Sequence, residues 1–246
     1  MKKIIYLTIF CTIVSAQALE LEGKKIAPKK SISPKKQLVD DSDNDIPATI
    51  ILDNKKSILR WKGGLKFVNN NHTGTLKIRQ GRLLINKDKN FTQGKIQVNM
   101  MSMKNTDMEP AKGERLVGHL RADDFFHVDR FPTATLDIKT SKIIGKISSG
   151  LYKVKIEGDL TIKDIKKSIT FDAEIDLDSP IKKATGTIVF NRTDFGIQYR
   201  SEMHLGNPDS FWNQLRSVRD TTKDRVIRDE IEVEFEILSI AGMLRK

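Results

Sequence analysis

Cysteine is almost absent from this sequence, and proline, glycine and long apolar runs are scarce. One Cys in 246 residues excludes a disulfide framework and any cysteine-ligated zinc or iron–sulfur centre. Seven Pro and 15 Gly exclude a collagen-like chain, and the composition excludes a mainly disordered or polytopic membrane protein. What is present, 38% apolar and 30% charged residues, is typical of a globular domain with a sizeable core.

The first 18 residues have the pattern of a secretory signal peptide. Two lysines precede an apolar stretch from Ile4 to Val14, and the small residues Ala16 and Ala18 follow. The stretch is too short to form a stable anchor across about 30 Å of hydrocarbon. We therefore expect export to the periplasm and cleavage at one of these alanines, which removes the single cysteine. A buried N-terminal helix is the alternative.

Residues 19–47 have the composition of a charged flexible linker. Six lysines spaced by Pro and Ser are followed by four aspartates, and apolar residues are few. The basic block predicts at most a weak contact with an anionic envelope surface, and a plain spacer is the alternative. We place the folded domain at residues 48–246.

The basic charge of the chain does not indicate a nucleic-acid partner. The formal net charge is +11, and 35 basic against 26 acidic residues remain from Ala48 onward. These charges are spread over alternate positions of many predicted strands and form no basic stripe interleaved with aromatics. A solvated surface explains this pattern, so we expect no nucleic-acid binding.

Alternation of apolar and polar residues predicts strands along almost the whole domain. It is clear in residues 96–100, 154–162, 169–177 and 231–237, with clusters of Gly, Asn, Asp and Ser between the runs. Strands with one polar face predict antiparallel pairing rather than a βαβ sheet. About eight strands lie between Ile50 and Ile240, a number that suits a closed barrel because closure removes exposed edges. The predicted fold is an all-β, eight-stranded antiparallel barrel.

Two segments break the alternation with helical spacing. Leu116, Val117 and Leu120 share one helical face, and residues 207–210 form a plausible helix start ahead of an apolar stretch that ends near Val218. We expect both to be short helices inserted in loops, where they can cap an end of the barrel.

Motifs of enzymes are missing from the sequence. It holds no G-x-S-x-G elbow, P-loop, dinucleotide fingerprint or H-E-x-x-H. The four histidines are scattered at spacings that do not recur in metal sites. Asp123 and Asp124 suit a turn or a helix cap better than a catalytic pair. We therefore expect no catalytic residues, no bound metal and no enzymatic cofactor.

The most informative stretch runs from Leu116 to Thr135 and reads LVGHLRADDFFHVDRFPTAT. It resembles the YceI-like family, whose hallmark is a helix ending in L-x-S-x-D-F-F, then a short spacer and F-P-x-A. Ala122 stands where that family usually has Ser, and the region 63–66 departs from the family's usual spacing. The likeness covers about residues 50–240. Six further segments match in order, namely Trp61 with Gly63, His72–Gly74, Met100–Met103 ahead of Asp107, Gly158–Ile162, Asn191–Tyr199 and Ile227–Ile231.

The resemblance implies a lipocalin-like barrel in the periplasm that encloses a long isoprenoid, such as a quinone or a polyprenyl lipid, without catalysis. Each CH₂ moved out of water is worth about 0.8 kcal/mol, so exposing a forty-carbon tail costs on the order of 30 kcal/mol. A soluble carrier must therefore enclose nearly the whole chain. An eight-stranded barrel has an interior just wide enough for one slim ligand.

The alternation of apolar and polar residues identifies candidates for the inner face of the barrel. The resemblance to the YceI-like family implies that these residues contact a ligand. Three phenylalanines beside the predicted helix can line an opening, and the Arg192 guanidinium suits a polar head group. Ile188 and Phe190 are also candidates for the inner face, but Val189 between them interrupts the alternation of apolar and polar residues. The same side chains equally suit the filled core of a ligand-free envelope interaction module, and Arg192 next to Asp194 equally suits a structural turn. The ligand-binding candidates are Leu116, Leu120, Phe125, Phe126, Phe131, Leu160, Ile162, Ile169, Phe171, Arg192, Phe195 and Tyr199.

Overall fold

The computed structural model describes residues 47–202 and 225–242, which contain nine strands, one α-helix and one 3₁₀ helix. The predicted signal peptide, almost all of the predicted linker and the second predicted helix lie outside the described residues. The strands are β1 (Ala48–Ile51), β2 (Ile58–Gly64), β3 (Asn71–Ile85), β4 (Phe91–Asn105), β5 (Thr133–Lys146), β6 (Leu151–Ile162), β7 (Ile165–Asp176), β8 (Lys183–Asn191) and β9 (Glu230–Leu238). The helices are α1 (Pro110–Arg121) and the 3₁₀ helix Arg192–Phe195.

All nine strands belong to one antiparallel sheet that closes on itself. The order of neighbours is β1-β3-β2-β9-β8-β7-β6-β5-β4, and β4 pairs in turn with β3. Strands β1 and β2 lie end to end along β3, since Ala48 pairs with Ile85 and Leu59 pairs with Leu76. The two short strands therefore share one place, and nine strands fill the eight positions of a closed barrel. The predicted fold class is confirmed.

A tight turn separates β1 from β2 without opening the barrel. The Asp53 side chain accepts hydrogen bonds from the backbone N–H groups of Lys55 and Lys56, at 2.9 and 3.1 Å. The residue before it, Leu52, bridges to Ser239 just beyond β9. Because β1 reaches the end of β9 while β2 pairs along it, the same two neighbours flank both short strands.

The strand alternation predicted from the sequence is present in the barrel wall. In β6, Val154 and Ile156 are buried, whereas Lys153 and Lys155 on the other face are exposed. Apolar side chains fill the interior because burial of their surface is the main gain in free energy on folding. Val189 does not break the pattern, because it points outward with 56% of its surface exposed.

Strands β7 and β8 diverge towards one end of the barrel. Only Ala173–Asp176 of β7 and Lys183–Gly186 of β8 are paired. The 3₁₀ helix packs against β7 beyond the paired part. Its Phe195 is 1% exposed and contacts the ring of Phe190 edge-on, with 5.5 Å between the ring centroids. The divergence is therefore filled by side chains rather than left open.

The two ends of the barrel are built differently. We call the end that carries α1 the helix end, where the connection 106–132 and the segments 192–202 and 225–229 lie. We call the opposite end the turn end, where the short connections 86–90, 147–150 and 177–182 lie. Helix α1 begins at Pro110, a favourable first position because its missing N–H would have no partner within the helix.

Helix α1 is fixed to the wall of the barrel at both of its ends. At its C-terminal end, the Arg121 guanidinium donates hydrogen bonds to the carbonyls of Met101 and Met103, at 2.6 and 2.8 Å. At its N-terminal end, a Cβ on Gly113 would lie 2.8 Å from Asn105 Oδ1, so glycine allows the close approach of helix to strand.

Among the helices that the structure describes, none is long and apolar enough to cross a membrane.

Candidate ligand-binding cavity

The barrel encloses a cavity of about 420 Å³, lined almost entirely by aliphatic and aromatic side chains. This volume lies within the range of about 300–1,000 Å³ that is usual for small-molecule sites. Small inward residues such as Ala134, Ala184 and Gly63 help to leave the space open. The barrel is hollow, so the filled core expected of a ligand-free interaction module is not what the structure contains.

The cavity extends along the barrel from one end to the other. Phe91, Lys182 and Ser239 line it at the turn end, and His72 and Leu116 line it at the helix end. A slim and elongated apolar molecule fits such a shape better than a compact polar one, because the polar groups of a compact ligand would be buried without partners.

Eight of the twelve predicted ligand-binding residues line this cavity. They come from α1, from the loop that follows it, from β6 and β7, and from the segment after the 3₁₀ helix. They are Leu116, Leu120, Phe125, Phe126, Leu160, Ile162, Phe171 and Tyr199.

The other four predicted residues, Phe131, Ile169, Arg192 and Phe195, do not line the cavity. Phe131 packs outside it against His127, with 5.6 Å between the ring centroids. Ile169 shares the inner face of β7 with Phe171 but lies where β7 and β8 diverge. Phe195 fills that divergence. Alternation correctly placed Ile169 on the inner face of β7. A position on that face does not by itself bring a side chain into contact with the cavity.

Arg192 is buried in the wall of the barrel and does not line the cavity. Its side chain is 0% exposed, and one amino group lies 3.0 Å from Asp229 Oδ1. The guanidinium donates to the backbone carbonyls of Ile197, Ile227 and Arg228, at 2.9, 3.3 and 3.2 Å. Burial lowers the pKa of Arg192, and the nearby carboxylate opposes that shift. Its donors are therefore directed at protein atoms.

The loop after α1 is held by a lysine from a neighbouring hairpin. Lys163 and Asp164 form the two-residue turn between β6 and β7, both with positive φ (51° and 61°), as tight hairpin turns require. The Lys163 ammonium donates to the carbonyl of Phe125 at 2.9 Å, and burial lowers the pKa of this lysine. This contact fixes Phe125 and Phe126, which are 3% and 8% exposed, against the helix end of the cavity.

Most of the residues that line the cavity lie outside the predicted set. Among them, Trp61, His72 and His119 lie at the helix end and carry ring nitrogens. The only signal for the first two was their place in family-like segments, because neither belongs to an alternating run. His119 lay within the predicted helix, but its partners come from distant positions. Its ring packs edge-on against Tyr199 and Phe125, with centroid distances of 4.6 and 5.9 Å.

A hydrogen-bond network orients the His72 ring. Nδ1 of His72 lies 3.0 Å from Asp107 Oδ2. The other oxygen of Asp107 accepts the Thr73 N–H at 3.0 Å and the Asn105 side-chain amide at 2.6 Å. Burial by itself would raise the pKa of Asp107, but the hydrogen bonds from Thr73, His72 and Asn105 outweigh it and lower that pKa. The carboxylate is therefore ionised at neutral pH and accepts a hydrogen bond from the N–H group of the His72 ring.

Two buried ring nitrogens of cavity-lining residues have no hydrogen-bond partner within the described part of the chain. They are Trp61 Nε1 and His119 Nε2. A buried donor or acceptor without a partner costs about 1–3 kcal/mol, so such atoms are rare and commonly mark a site for another molecule. Both lie at the helix end, whereas Lys182 and Ser239 at the turn end bond to each other through N–H···Oγ at 2.8 Å.

Over residues 47–202 and 225–242, no three His, Cys, Asp or Glu side chains lie close enough together to hold a metal ion.

Fold and cavity together define a closed antiparallel β-barrel with a ligand-sized apolar interior. Residues 51–238 match the family model of the YceI-like domain. This match covers most of the chain, so the chain belongs to the YceI-like family, as the stretch 116–135 predicted.

Two solved structures share the fold. The crystal structure of BcnA from Burkholderia cenocepacia aligns with a TM-score of 0.50 and 14% identity, over 77% of this chain and 99% of that one. A domain from Saccharophagus degradans, described as polyisoprenoid-binding and implicated in plant cell wall breakdown, aligns with a TM-score of 0.51 and 15% identity. That alignment covers 80% of this chain and 99% of the other.

Among curated proteins, the chain is similar to UPF0312 proteins of Staphylococcus aureus. The protein of strain N315 is 32% identical over 102 residues, which are 39% of this chain and 54% of that protein. The protein of strain MW2 is 31% identical over the same shares of the two chains. The chain thus spans about half the length of the curated relatives it matches.

Proposed function

We propose that this protein binds one long-chain isoprenoid lipid, of the quinone or polyprenyl type, in the interior of the barrel and carries it in the periplasm. The observation that supports this most directly is the apolar cavity, which runs between the two ends of the barrel. An isoprenoid tail is long, slim and without polar groups, and such a wall is complementary to it. The tail gains about 0.8 kcal/mol for each CH₂ withdrawn from water.

The likeness to a polyisoprenoid-binding domain supports the same ligand class. The Saccharophagus degradans domain carries that description and has the same fold, although its sequence is only 15% identical. The apolar residues of α1, Leu116 and Leu120, with Phe125 and Phe126 in the following loop, form much of the cavity wall at the helix end. Binding needs no covalent chemistry, so the proposed role is that of a carrier or scavenger without enzymatic activity.

The proposed location follows from the N-terminal sequence. A basic start, a short apolar stretch and small residues at 16 and 18 are typical of a secretory signal. The basic block that follows would at most touch an anionic envelope surface weakly. Fusing residues 1–47 to a reporter enzyme that is active only after export tests the location, because a cytoplasmic protein would leave the reporter inactive.

The function is tested by extracting the protein with organic solvent after purification from its native envelope. Mass spectrometry should detect a prenylated lipid in a ratio approaching one per protein chain. Repeated recovery of protein without any bound lipid, together with failure to bind added prenyl lipids, would contradict the proposal.

A matched pair of variants on β8 connects the lipid to the cavity. Ala184 lines the cavity, whereas Val189 on the same strand points into solvent. Ala184→Phe adds a ring to the interior and should strongly reduce the amount of extracted lipid. Val189→Phe adds the same ring outside and should leave it unchanged. Equal lipid content in both variants would place the lipid outside the barrel.

A further inference from the structure

We propose that the helix end of the cavity is a recognition site for a neutral, oxygen-bearing head group, a hydroxyl or a carbonyl, with His72 as the residue that contacts it. This inference rests on the proposed function and adds an orientation, in which the isoprenoid tail points to the turn end. Three observations carry it: the polarised His72 ring, the unpartnered Trp61 nitrogen and the distribution of charge between the two ends.

His72 has one nitrogen committed and one available. Since ionised Asp107 only accepts hydrogen bonds, Nδ1 of His72 must carry the proton that joins them at 3.0 Å. In the neutral ring, Nε2 is then an acceptor for a hydroxyl, and in the protonated ring it is a donor for a carbonyl. The ring lines the cavity, and 27% of the side chain remains exposed, so Nε2 can be reached by a ligand. The carboxylate thus fixes both the tautomer and the direction of the ring.

Trp61 lies beside His72 on the inner face of the barrel. Strands β2 and β3 pair Gly63 with His72 and Trp61 with Gly74, so the two large side chains are diagonal neighbours, each opposite a glycine. Side chains in such positions are within reach of each other across about 7–8 Å. The indole N–H of Trp61 is buried without a partner among the described residues. One hydroxyl near this pair can donate to the imidazole and accept from the indole.

The charges near the helix end of the cavity are of both signs and do not form a purely cationic phosphate site. Asp107 places a negative charge behind His72, and Arg192 uses its donors on Asp229 and backbone carbonyls. Arg200 is the cationic residue of the helix end that lines the cavity, and its guanidinium carbon lies 5.2 Å from the centroid of the Tyr199 ring. A prenyl phosphate is therefore the competing ligand to include in the test.

The turn end offers no comparable site to a head group. The Lys182 ammonium there donates to the carbonyls of Leu177 and Ser179, at 2.7 and 2.6 Å. Its backbone N–H is bonded to Ser239 Oγ at 2.8 Å. Since both polar residues that line the cavity at this end are engaged with protein atoms, the apolar end of the lipid belongs here.

The test compares three probes of equal chain length on the full-length protein after lipid extraction. The probes are geranylgeraniol, the hydrocarbon that lacks its hydroxyl, and geranylgeranyl phosphate, each competing with a fluorescent apolar ligand. The wild type should bind the alcohol roughly 3- to 10-fold more tightly than the hydrocarbon, the range that one or two net hydrogen bonds give. His72→Phe should abolish this preference, so that the variant binds the alcohol and the hydrocarbon with equal affinity.

The control variant is His127→Asn, which removes an imidazole outside the cavity. His127 has a positive φ of 47°, a conformation that Asn tolerates, and it should keep the wild-type preference. Equal weakening of alcohol and hydrocarbon in His72→Phe, or no change in either, would overturn the head-group site while leaving lipid binding intact. Tighter binding of the phosphate, unaffected by His72→Phe, would overturn the neutral head group. Binding of none of the probes would contradict the proposed function itself.

Asp107 acts as a positioning residue, and its role has a spectroscopic signature. In the wild type, the ¹⁵N chemical shifts of the neutral His72 ring should show protonated Nδ1. Asp107→Asn should mix the two tautomers and lower the preference for the alcohol without changing affinity for the hydrocarbon. An unchanged tautomer together with an unchanged preference would show that the carboxylate does not direct the ring.

Discussion

The turn end and the helix end of this hollow barrel are closed in different ways. At the turn end, three short turns close the wall, and local hydrogen bonds engage Lys182 and Asp176. At the helix end, long connections carry α1, aromatic rings and a buried ion pair, and the ring nitrogens Trp61 Nε1 and His119 Nε2 in the cavity wall remain without partners among the described residues. The polar groups of the turn end that line the cavity are thus engaged with protein atoms, whereas the helix end keeps buried ring nitrogens without a partner among the described residues.

The helix end needs a framework of its own because its connections are long. Arg192 and Asp229 supply part of it, joining the 3₁₀ helix to the start of β9. Lys163 and Arg121 supply the rest by bonding to backbone carbonyls of the loop after α1 and of β4. These cations hold the aromatic wall in place by bonding to carbonyls that are distant in sequence, whereas Lys182 at the turn end bonds to carbonyls within five residues of itself.

The largest expected effect is loss of the buried cation at the helix end. Arg192→Met leaves Asp229 and three backbone carbonyls without their partner, and breaking a buried ion pair typically costs about 3–5 kcal/mol. The free energy of unfolding, measured by urea denaturation, should fall by about this amount.

The matched control for this variant is Arg130→Met, on an exposed arginine that packs over the ring of Phe131 at 5.1 Å. It should change the free energy of unfolding by no more than about 0.5 kcal/mol. If both variants cost the same, the ion pair is not the framework of the helix end.

The second expected effect concerns the glycine under the Trp61 indole. A Cβ on Gly74 would lie 2.3 Å from Trp61 Cζ2 and 1.9 Å from the carbonyl oxygen of Lys104, so strand or indole must shift. Gly74→Ala should cost about 1–3 kcal/mol of stability, as overpacking does, and should weaken lipid binding by displacing the indole.

Gly145→Ala on β5 is the control, because its Cβ would lie 3.8 Å from the nearest atom, Lys153 Cβ. This variant should leave the free energy of unfolding unchanged or raise it by about 0.5–1 kcal/mol, because Ala loses less chain entropy on folding than Gly. A stable Gly74→Ala variant with normal lipid binding would remove Trp61 from the recognition site.

Local patterning was sufficient to predict the barrel wall. In β6, polar residues alternate with Val154 and Ile156. Because one face of the strand is exposed to solvent, this two-residue period can be recognised in the sequence. The sharing of one position by β1 and β2 could not be predicted, because it depends on pairing with opposite halves of β3. The sequence of residues 53–57 is typical of a turn between two neighbouring strands. The register of their pairing with β3 is needed to show that β1 and β2 lie end to end.

Partners distant in sequence explain which site residues were missed. Sequence reasoning considered Asp194 as the neighbour of Arg192, yet the ion pair forms with Asp229. His72 lies 35 residues from Asp107, and no local pattern connects them. Apolar candidates such as Leu160 and Phe171 were placed correctly along the cavity because alternation identifies the inner face. Polar contacts depend on tertiary structure, which alternation does not contain.

A smaller effect is expected at the turn end. Lys182→Met removes an ammonium that donates to the carbonyls of Leu177 and Ser179. The loss of such a hydrogen bond costs about 1–3 kcal/mol where the carbonyl stays buried, and less where water replaces the lost donor. We expect about 1 kcal/mol in urea denaturation and no change in the preference for a prenyl alcohol. A changed preference would mean that the turn end also reads the head group, and the contrast between the ends would fail.

The smallest expected effect is the pH dependence of the Asp107 network. The pKa of Asp107 is lowered in the folded protein, because hydrogen bonds from Thr73, His72 and Asn105 outweigh burial. A carboxyl with a lowered pKa stabilises the fold fully above its unfolded pKa, about 3.9, and loses that contribution as the pH falls through its folded value. The free-energy difference between wild type and Asp107→Asn should therefore shrink as the pH falls below the unfolded pKa of the carboxyl towards pH 3.

Asp178 at the turn end separates this titration from ligand binding. A hydrogen bond from Lys89 lowers the pKa of Asp178, so Asp178→Asn should show a pH dependence of the same sign. Because each variant is compared with the wild type, acidic groups common to both proteins cancel. Only Asp107→Asn should also change the ratio of alcohol to hydrocarbon affinity at pH 7, since only that carboxylate orients a cavity-lining ring. A pH-independent difference for Asp107→Asn would contradict the ionised carboxylate on which the orientation of His72 depends.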